Sequence, residues 1–137
     1  MNALVINGSP KGENSNTAKL ARAFLDGAGI GEYNTLEVRK LNVKPCVGCF
    51  GCWKTTPGVC VLKDDMAGVL EKLKAADLTV WSFPLYYFSV PGGLKNLIDR
   101  QLPLNLPFMT GAESGGHPSR YDNTRQRHVV ISTCGFY

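Results

Sequence analysis

The sequence lacks the long apolar runs and the charge clusters that mark several large classes of protein. No apolar run in its 137 residues reaches the ~18 residues that a membrane-spanning helix needs. The N-terminus has no basic region followed by a long apolar stretch, so we expect neither a secretory signal nor a membrane partner. The net charge of +4 is mild, and no Lys/Arg cluster is interleaved with aromatic residues, so nucleic-acid binding is not expected.

The residue groupings of hydrolytic enzymes are also missing. The sequence shows no Ser/His/Asp arrangement and no pair of carboxylates with a plausible pocket. His117 and His128 have no partner at metal-ligand spacing, so we expect structural roles for both. Lys95 and Asp99 are four residues apart in a predicted helix, which indicates a surface ion pair of small energetic worth.

The composition is that of one globular domain with a real core. Hydrophobic residues make up 44% of the chain and charged residues 19%, so we expect a single domain over residues 1–137. Five cysteines in a chain without a signal indicate reduced thiols or metal ligands, not a disulfide framework. The expected compartment is therefore the cytoplasm.

Apolar patterning alternates strands with helices along the chain. Strands are predicted at residues 3–6, from Leu36 through Val38 to Lys40, at 78–83 and at 128–132. This alternation implies an α/β fold with a doubly wound parallel sheet and right-handed crossovers. A five-stranded sheet of this kind would need another strand and helix after Tyr137, so we expect the chain to lack both.

Three helices are predicted between these strands. The first is capped by Ser15 or Asn16, the second by Asp64 or Asp65, and the third begins at Pro91. Residues 103–126 lack periodicity and contain prolines and glycines, which indicates a long lid-like or interfacial excursion. The apolar positions at helical spacing are Leu20, Ala21, Phe24, Leu25, Met66, Val69, Leu70, Leu73, Leu94, Leu97 and Ile98.

Residues 4–17 run from an apolar strand through a Gly/Ser/Asn-rich turn into a helix, which is typical of a phosphate site. The Gly-Lys-Ser/Thr ending of a Walker loop is missing, and Gly8 and Gly12 do not have dinucleotide spacing. The turn therefore favours the single phosphate of flavin mononucleotide (FMN). An alternative is a solvated lysine beside capping residues. The candidate phosphate ligands are Ser9, Lys11, Ser15, Asn16 and Thr17.

Two further loops are expected beside this turn, because open α/β sheets bind ligands outside the carboxyl ends of their strands. The loop after the third predicted strand suits one face and the polar edge of a planar ring. Its aromatic residues could instead form a partly buried cluster or a dimer contact. The candidates are Pro84, Leu85, Tyr86, Tyr87, Phe88 and Ser89 in that loop, with Thr133, Cys134 and Gly135, followed by Phe136 and Tyr137, after the fourth strand.

A compact group of cysteines forms a second candidate site, apart from the loops predicted to bind a flavin. Cys46, Cys49 and Cys52 are separated by two gaps of two residues, and Cys60 follows after seven more. Glycines between the first three allow the backbone to wrap around one centre. This triplet with a distant fourth cysteine favours iron–sulfur ligation over structural zinc, which usually takes two separated pairs. Free thiols beside a flavin, a redox-active pair and zinc remain alternatives.

These motifs resemble the flavodoxin-like NAD(P)H-dependent FMN reductase superfamily, and within it the branch with the iron–sulfur flavoproteins. The resemblance covers nearly the whole chain. It lies in Gly8-Ser9-Pro10 with Ser15-Asn16-Thr17, in the four cysteines followed by Lys63-Asp64-Asp65-Met66, and in Pro84-Leu85-Tyr86 with Leu94-Lys95 and Asp99-Arg100.

The resemblance implies noncovalent FMN, with its phosphate on the first loop and its isoalloxazine ring on the loop after the third strand. It also implies homodimers or homotetramers, and a [4Fe–4S] cluster on the cysteine loop close to a neighbouring subunit's flavin. The expected function is NAD(P)H-dependent flavin oxidoreduction with a small-molecule or protein electron acceptor. The alternatives are a flavodoxin-type electron carrier without a substrate of its own and a thiol or metal redox sensor.

Overall fold

The computed structural model describes residues 1–109 and 116–135. Within these residues the fold is built on one sheet of four parallel strands in the order β2-β1-β3-β4. In the register, Val5 lies opposite Thr35 on one side and Val80 on the other. The predicted parallel α/β sheet is confirmed, and its carboxyl ends share one edge. The strands are Ala3–Asn7 (β1), Asn34–Glu37 (β2), Leu78–Pro84 (β3) and Arg127–Thr133 (β4).

Helices cover both faces of the sheet. Ala21 and Leu25 of the first helix pack with Val5 and Val80 on one face, while two later helices pack with Ile6 on the other. Burying one such aliphatic side chain stabilises the fold by about 1.5–3 kcal/mol. The α-helices in the described residues are Asn16–Gly27 (α1), Gly51–Lys54 (α2), Met66–Ala75 (α3) and Gly92–Asp99 (α4).

The second strand ends at Glu37 in the structure, earlier than the predicted end at Lys40. Leu36 lies in β2, but Val38–Lys40 forms a 3-10 turn. The chain bends there because the buried carboxylate of Glu37 binds Arg39, with Nε and Oε2 2.7 Å apart, and also Lys40. In a strand Arg39 and Lys40 would lie on opposite faces, so both could not reach the same carboxylate. The third helix, α3, follows Asp65, whose side chain makes no capping hydrogen bond.

Some predicted inward-facing residues are exposed. In α1, Leu20 is 48% exposed and Phe24 38% exposed, while Ala21 and Leu25 are buried. In α4, Ile98 is 37% exposed beside the fully buried Leu97. Each helix contacts the sheet through a narrow stripe, so the apolar residue beside the stripe remains at the surface.

The excursion predicted at residues 103–126 is held together at its base. Asn105 and Ser119 form an isolated β-bridge, and the Arg120 guanidinium donates to the carbonyl oxygens of Pro103 and Asn105 at 3.0 and 3.3 Å. Residues 110–115 lie outside the described residues. The lid-like or interfacial role of this segment stays a prediction.

The residues predicted to be structural have ordinary packing partners. The ring centroid of His117 lies 4.9 Å from that of Trp53, and His128 Nδ1 accepts a 3.3 Å hydrogen bond from Trp81 Nε1. Lys95 and Asp99 form the predicted exposed ion pair, at 2.5 Å. Over residues 1–109 and 116–135, no helix combines the length and the apolar character required to cross a bilayer.

Candidate functional site

The turn between β1 and α1, here called the phosphate turn (residues 8–17), is organised by its own hydroxyl groups. Ser15 caps α1, its Oγ accepting the Ala18 N–H at 3.1 Å and lying 3.2 Å from Thr17 Oγ1. Ser9 Oγ accepts the Lys11 N–H at 3.3 Å. Ser9, Ser15 and Thr17 are all buried. These three predicted ligands therefore shape the turn, and their hydroxyls are engaged within it.

The other predicted phosphate ligands are accessible. Asn16, the first residue of α1, and Lys11, which lies earlier in the phosphate turn, are both exposed. The backbone N–H groups of Asn16 and Thr17 donate to no acceptor in the described part of the chain. Free N–H groups at the positive end of a 12-residue helix, with a lysine nearby, fit an anion.

The end of β2 lies directly against the phosphate turn. Gly12 is buried with φ +59°, and a Cβ there would lie 2.5 Å from Arg39 Nε and against the Glu37 carboxylate. Hydrogen bonds from Lys40 and Arg39 hold the pKa of Glu37 below its usual value. Only glycine fits this position without strain, and the ion pair brings the Arg39 guanidinium beside the turn.

The loop after β3, here called the aromatic loop (residues 84–89), presents its rings to solvent. Backbone hydrogen bonds of 2.9 and 3.0 Å join Tyr86 and Ser89 across a tight turn. Tyr87 and Phe88 occupy that turn with φ of 45° and 59°, and they are 93% and 79% exposed. A left-handed backbone costs about 1–2 kcal/mol for such residues. The alternative of a partly buried aromatic cluster is wrong for these two rings because of their exposure, while a dimer contact stays open.

The loop after β4 joins the aromatic loop at the sheet edge. The Leu85 N–H donates to the Thr133 carbonyl at 2.8 Å, so the two loops leave the sheet side by side. Cys134 and Gly135 are exposed beyond this contact. Phe136 and Tyr137 lie outside the described residues. The carboxyl ends of β1, β3 and β4 thus carry the three loops predicted to hold a flavin.

The cysteine segment (residues 46–60) leaves the sheet beyond β2 and contains α2. Gly51 opens that helix, and a Cβ there would lie 2.7 Å from Val61 Cγ1 and 3.7 Å from Cys49 Sγ. The absence of a side chain therefore lets the arm that carries Cys60 pack against α2. Trp53 ties the helix down, its indole Nε1 donating to the carbonyls of Leu102 and Asn105, both at 3.0 Å.

All four predicted metal-ligating cysteines line one pocket, here called the cysteine pocket. Cys46 and Cys49 are exposed, Cys52 is buried, Cys60 is half-buried, and none forms a disulfide. Burial raises the pKa of Cys52, and the neighbouring Cys60, Cys49 and Cys46 raise it further. The structure thus brings the predicted cysteines together, and four soft sulfur ligands suit iron.

The spacing of these side chains bears on the kind of metal centre. In the described residues, no three His, Cys, Asp or Glu side chains are grouped to hold one metal ion. An iron–sulfur cluster needs its cysteines around a core that is larger than one metal ion, because each cysteine binds a different iron atom. The donor set of the cysteine pocket therefore fits a cluster.

Three structural features were not found from the sequence. The Glu37–Arg39 pair lies beside the phosphate turn because Asn7 pairs with Glu37 in the sheet, which the parallel order of β1 and β2 could have indicated. Arg100 also lines the cysteine pocket. Ser82 Oγ is buried at the end of β3, without a hydrogen-bond partner in the described residues, and no sequence signal marks it.

Comparison with known proteins identifies the family and the fold to which the chain is similar. The profile of the family described as NADPH-dependent FMN reductase matches residues 1–118. An iron–sulfur flavoprotein of Methanocaldococcus jannaschii is 37% identical over 120 residues, which are 85% of this chain and 60% of that protein. One from Archaeoglobus fulgidus is 39% identical over 102 residues, 73% of this chain and 48% of that protein. The chain thus spans about half to three-fifths of these relatives' length.

Solved structures share the fold. The NAD(P)H:quinone oxidoreductase of Methanothermobacter marburgensis has a TM-score of 0.71 at 16% identity, covering 100% of this chain and 66% of that one. An FMN-dependent NADH-azoreductase of Bacillus anthracis, solved with FMN, has a TM-score of 0.65 at 21% identity, covering 98% and 70%. The sheet is flavodoxin-like, and with the profile matching most of its length, the chain belongs to the NADPH-dependent FMN reductase family.

Proposed function

We propose that the protein binds FMN and transfers electrons from NAD(P)H through it to an acceptor. The observation that carries the proposal is the placement of the phosphate turn and the solvent-facing aromatic loop at the same edge of the sheet. One provides free N–H groups and Lys11 for a phosphate, and the other provides Tyr87 and Phe88 for a planar ring. Bound FMN would supply a centre that accepts a hydride.

The chain's own residues would bind and orient that cofactor. Lys11 and Asn16 would hold the phosphate, while the buried Ser9, Ser15 and Thr17 keep the turn in its binding shape. The aromatic loop and the residues from Thr133 to Gly135, of which Cys134 and Gly135 are exposed, would position the ring and exclude water from one of its faces. FMN as the proposed cofactor agrees with the names of relatives that are called FMN-dependent.

We also propose that Cys46, Cys49, Cys52 and Cys60 hold a [4Fe–4S] cluster that accepts single electrons. The four thiols line one pocket, and the curated relatives above are named iron–sulfur flavoproteins. The acceptor would be a small molecule, such as a quinone, or a protein. A homodimer or homotetramer in the cytoplasm would suit the exposed aromatic loop and the free thiols.

The first prediction is that anaerobically purified protein binds about one FMN per chain and then oxidises NADH or NADPH in the presence of a quinone. Flavin fluorescence quenching measures binding, and nicotinamide absorbance measures turnover. Absence of FMN binding would refute the proposal. Binding with electron exchange but no NAD(P)H oxidation would favour the electron-carrier alternative.

The second prediction concerns Cys49→Ser. We expect this variant to lose most of its iron and sulfide while its FMN content stays unchanged, because one cluster ligand is removed far along the chain from the phosphate turn. The matched control is Cys134→Ser, which removes an exposed thiol outside the cysteine segment and should retain the iron.

The same pair of variants addresses the sensor alternative, which the exposure of Cys46 and Cys49 favours. A wild-type protein without iron, in which Cys49→Ser abolishes a response to oxidant, would contradict the cluster assignment. Iron and sulfide analysis of anaerobically prepared samples decides between the two.

A further inference from the structure

A buried ion pair lies behind the cysteine pocket. The guanidinium of Arg100 binds the carboxylate of Asp64 at two points, Nη1 to Oδ2 at 2.9 Å and Nη2 to Oδ1 at 3.0 Å. The side chains are only 1% and 0% exposed. Bidentate pairs of this kind fix the guanidinium in one orientation, so the position of the charge at the end of α4 is well defined.

The ion pair holds both ends of the cysteine segment. The Lys44 carbonyl accepts from Arg100 Nη1 at 2.8 Å, and the Lys44 N–H donates to Asp64 Oδ2 at 2.9 Å. Lys44 comes two residues before Cys46, and Asp64 comes four residues after Cys60. The segment therefore starts and finishes on the same pair of side chains.

The Nε–H group of Arg100 takes no part in these contacts. Its Nε is buried and has no hydrogen-bond partner within residues 1–109 and 116–135, although Arg100 lines the pocket together with the four cysteines. A buried donor without an acceptor is costly, so such a group calls for an explanation. Burial opposes its charge, but Asp64 and the adjacent Cys60 outweigh that effect and raise the pKa of Arg100. The side chain is thus a fixed cation.

Resting on the proposed cluster, we propose that Arg100 is a positioning residue for it, with Nε–H donating to sulfur near Cys60 and its charge raising the reduction potential. Reduction by one electron, supplied by dithionite in a test and by NAD(P)H through flavin in turnover, forms and breaks no bond. It adds one negative charge to the cluster and its thiolates. A neighbouring cation stabilises the more negative form, and hydrogen bonds to sulfur act in the same direction.

The test measures the cluster's midpoint potential by dithionite titration followed by electron paramagnetic resonance. The double variant Arg100→Gln/Asp64→Asn removes the cation without leaving a buried unpaired carboxylate. Losing the Asp64 carboxylate acts in the opposite direction, but Arg100 lines the cysteine pocket and Asp64 does not, so the loss of the cation decides the sign. We expect the potential to fall by about 59 mV, which is a tenfold less favourable one-electron reduction. The control Lys72→Gln removes an exposed cation from α3, on a side chain that does not line the cysteine pocket, and should leave the potential unchanged.

Other outcomes are equally decisive. If the double variant keeps FMN but loses iron, Arg100→Lys is measured in its place. Lysine keeps the positive charge but has no guanidinium group, so it cannot make the hydrogen bond proposed for Arg100 Nε–H. A potential equal to wild type in the double variant overturns the inference, whereas in Arg100→Lys, which keeps the charge, it overturns the donation from Nε–H to sulfur. Either result leaves the proposed function standing. A wild-type protein that binds FMN but assembles no cluster overturns both the cluster and the role of Arg100.

Discussion

Asp64→Asn is expected to lower the free energy of unfolding by about 3 kcal/mol. The substitution keeps the shape of the side chain but leaves the guanidinium of Arg100 buried without its counter-charge. Removing one partner of a buried ion pair typically costs about 3–5 kcal/mol. Chemical denaturation of the metal-free protein at pH 7 measures the change. An unchanged midpoint would mean that the pair contributes little to the fold.

The matched control lies on the same helix as Arg100. Asp99→Asn breaks the exposed Lys95–Asp99 pair, whose side chains are 55% and 43% exposed. Because exposed ion pairs contribute little, this variant should stay within about 1 kcal/mol of wild type. The two substitutions make the same chemical change, so their difference isolates burial.

The effect of Asp64→Asn should also depend on pH. Burial opposes ionisation of Asp64, but hydrogen bonds from Arg100, Lys44 and Met66 together hold its pKa below the usual value. A carboxylate whose folded-state pKa is lowered contributes stability above its unfolded pKa of about 3.9, and that contribution is lost as pH falls through the folded-state pKa. The difference between wild type and variant should therefore narrow below about pH 4.

Gly12→Ala should weaken FMN binding by about tenfold or more and lower the free energy of unfolding by about 2 kcal/mol. The residue has φ +59°, which costs about 1–2 kcal/mol for alanine. Its Cβ would also displace the Glu37 and Arg39 side chains that lie against the phosphate turn. Binding is measured by flavin fluorescence and stability by denaturation.

Gly27→Ala is the control for this prediction. Gly27 is the last residue of α1 and has open space around it, so alanine should be neutral or stabilise the helix by up to about 1 kcal/mol. If Gly12→Ala lost stability but kept full FMN affinity, the phosphate turn would not be the phosphate site. That outcome would redirect the search to another edge of the sheet.

The sheet and its helices could be predicted because each element carries its own local signal. Residues 3–6 are apolar on both faces, as a central parallel strand must be, and β1 is buried throughout. Ser15 is a strong capping residue, and it caps α1 as expected. The three loops then follow from strand direction alone, since parallel strands end at one edge.

The exposed Leu20 and Ile98 show the limit of what hydrophobic periodicity can predict. A hydrophobic residue at helical spacing does not reveal how wide the covered stripe is, because that width depends on what packs against the helix. The short helix Gly51–Lys54 was also missed, since it lies among cysteines and glycines and is held by Trp53 from outside.

The Arg100–Asp64 pair could not be predicted because the two residues are 36 positions apart. From the sequence, Asp64 is a candidate helix cap, and it does accept the Met66 N–H at 3.1 Å. Its larger role depends on the way α4 brings Arg100 back over the cysteine segment. Only the three-dimensional packing joins a cap to a distant arginine.

The hydrogen bond between Lys44 and Asp64 has a consequence for the evolution of this protein. Everything between those anchors emerges from and returns to a single spot, so its length can vary without shifting the strands. The sheet should therefore tolerate insertions and deletions between Trp53 and Cys60, provided that Trp53 keeps its hydrogen bonds to Leu102 and Asn105. Residues 44–64 could also be transplanted as one unit onto a related scaffold, provided that Asp64 and its partner Arg100 are both transferred.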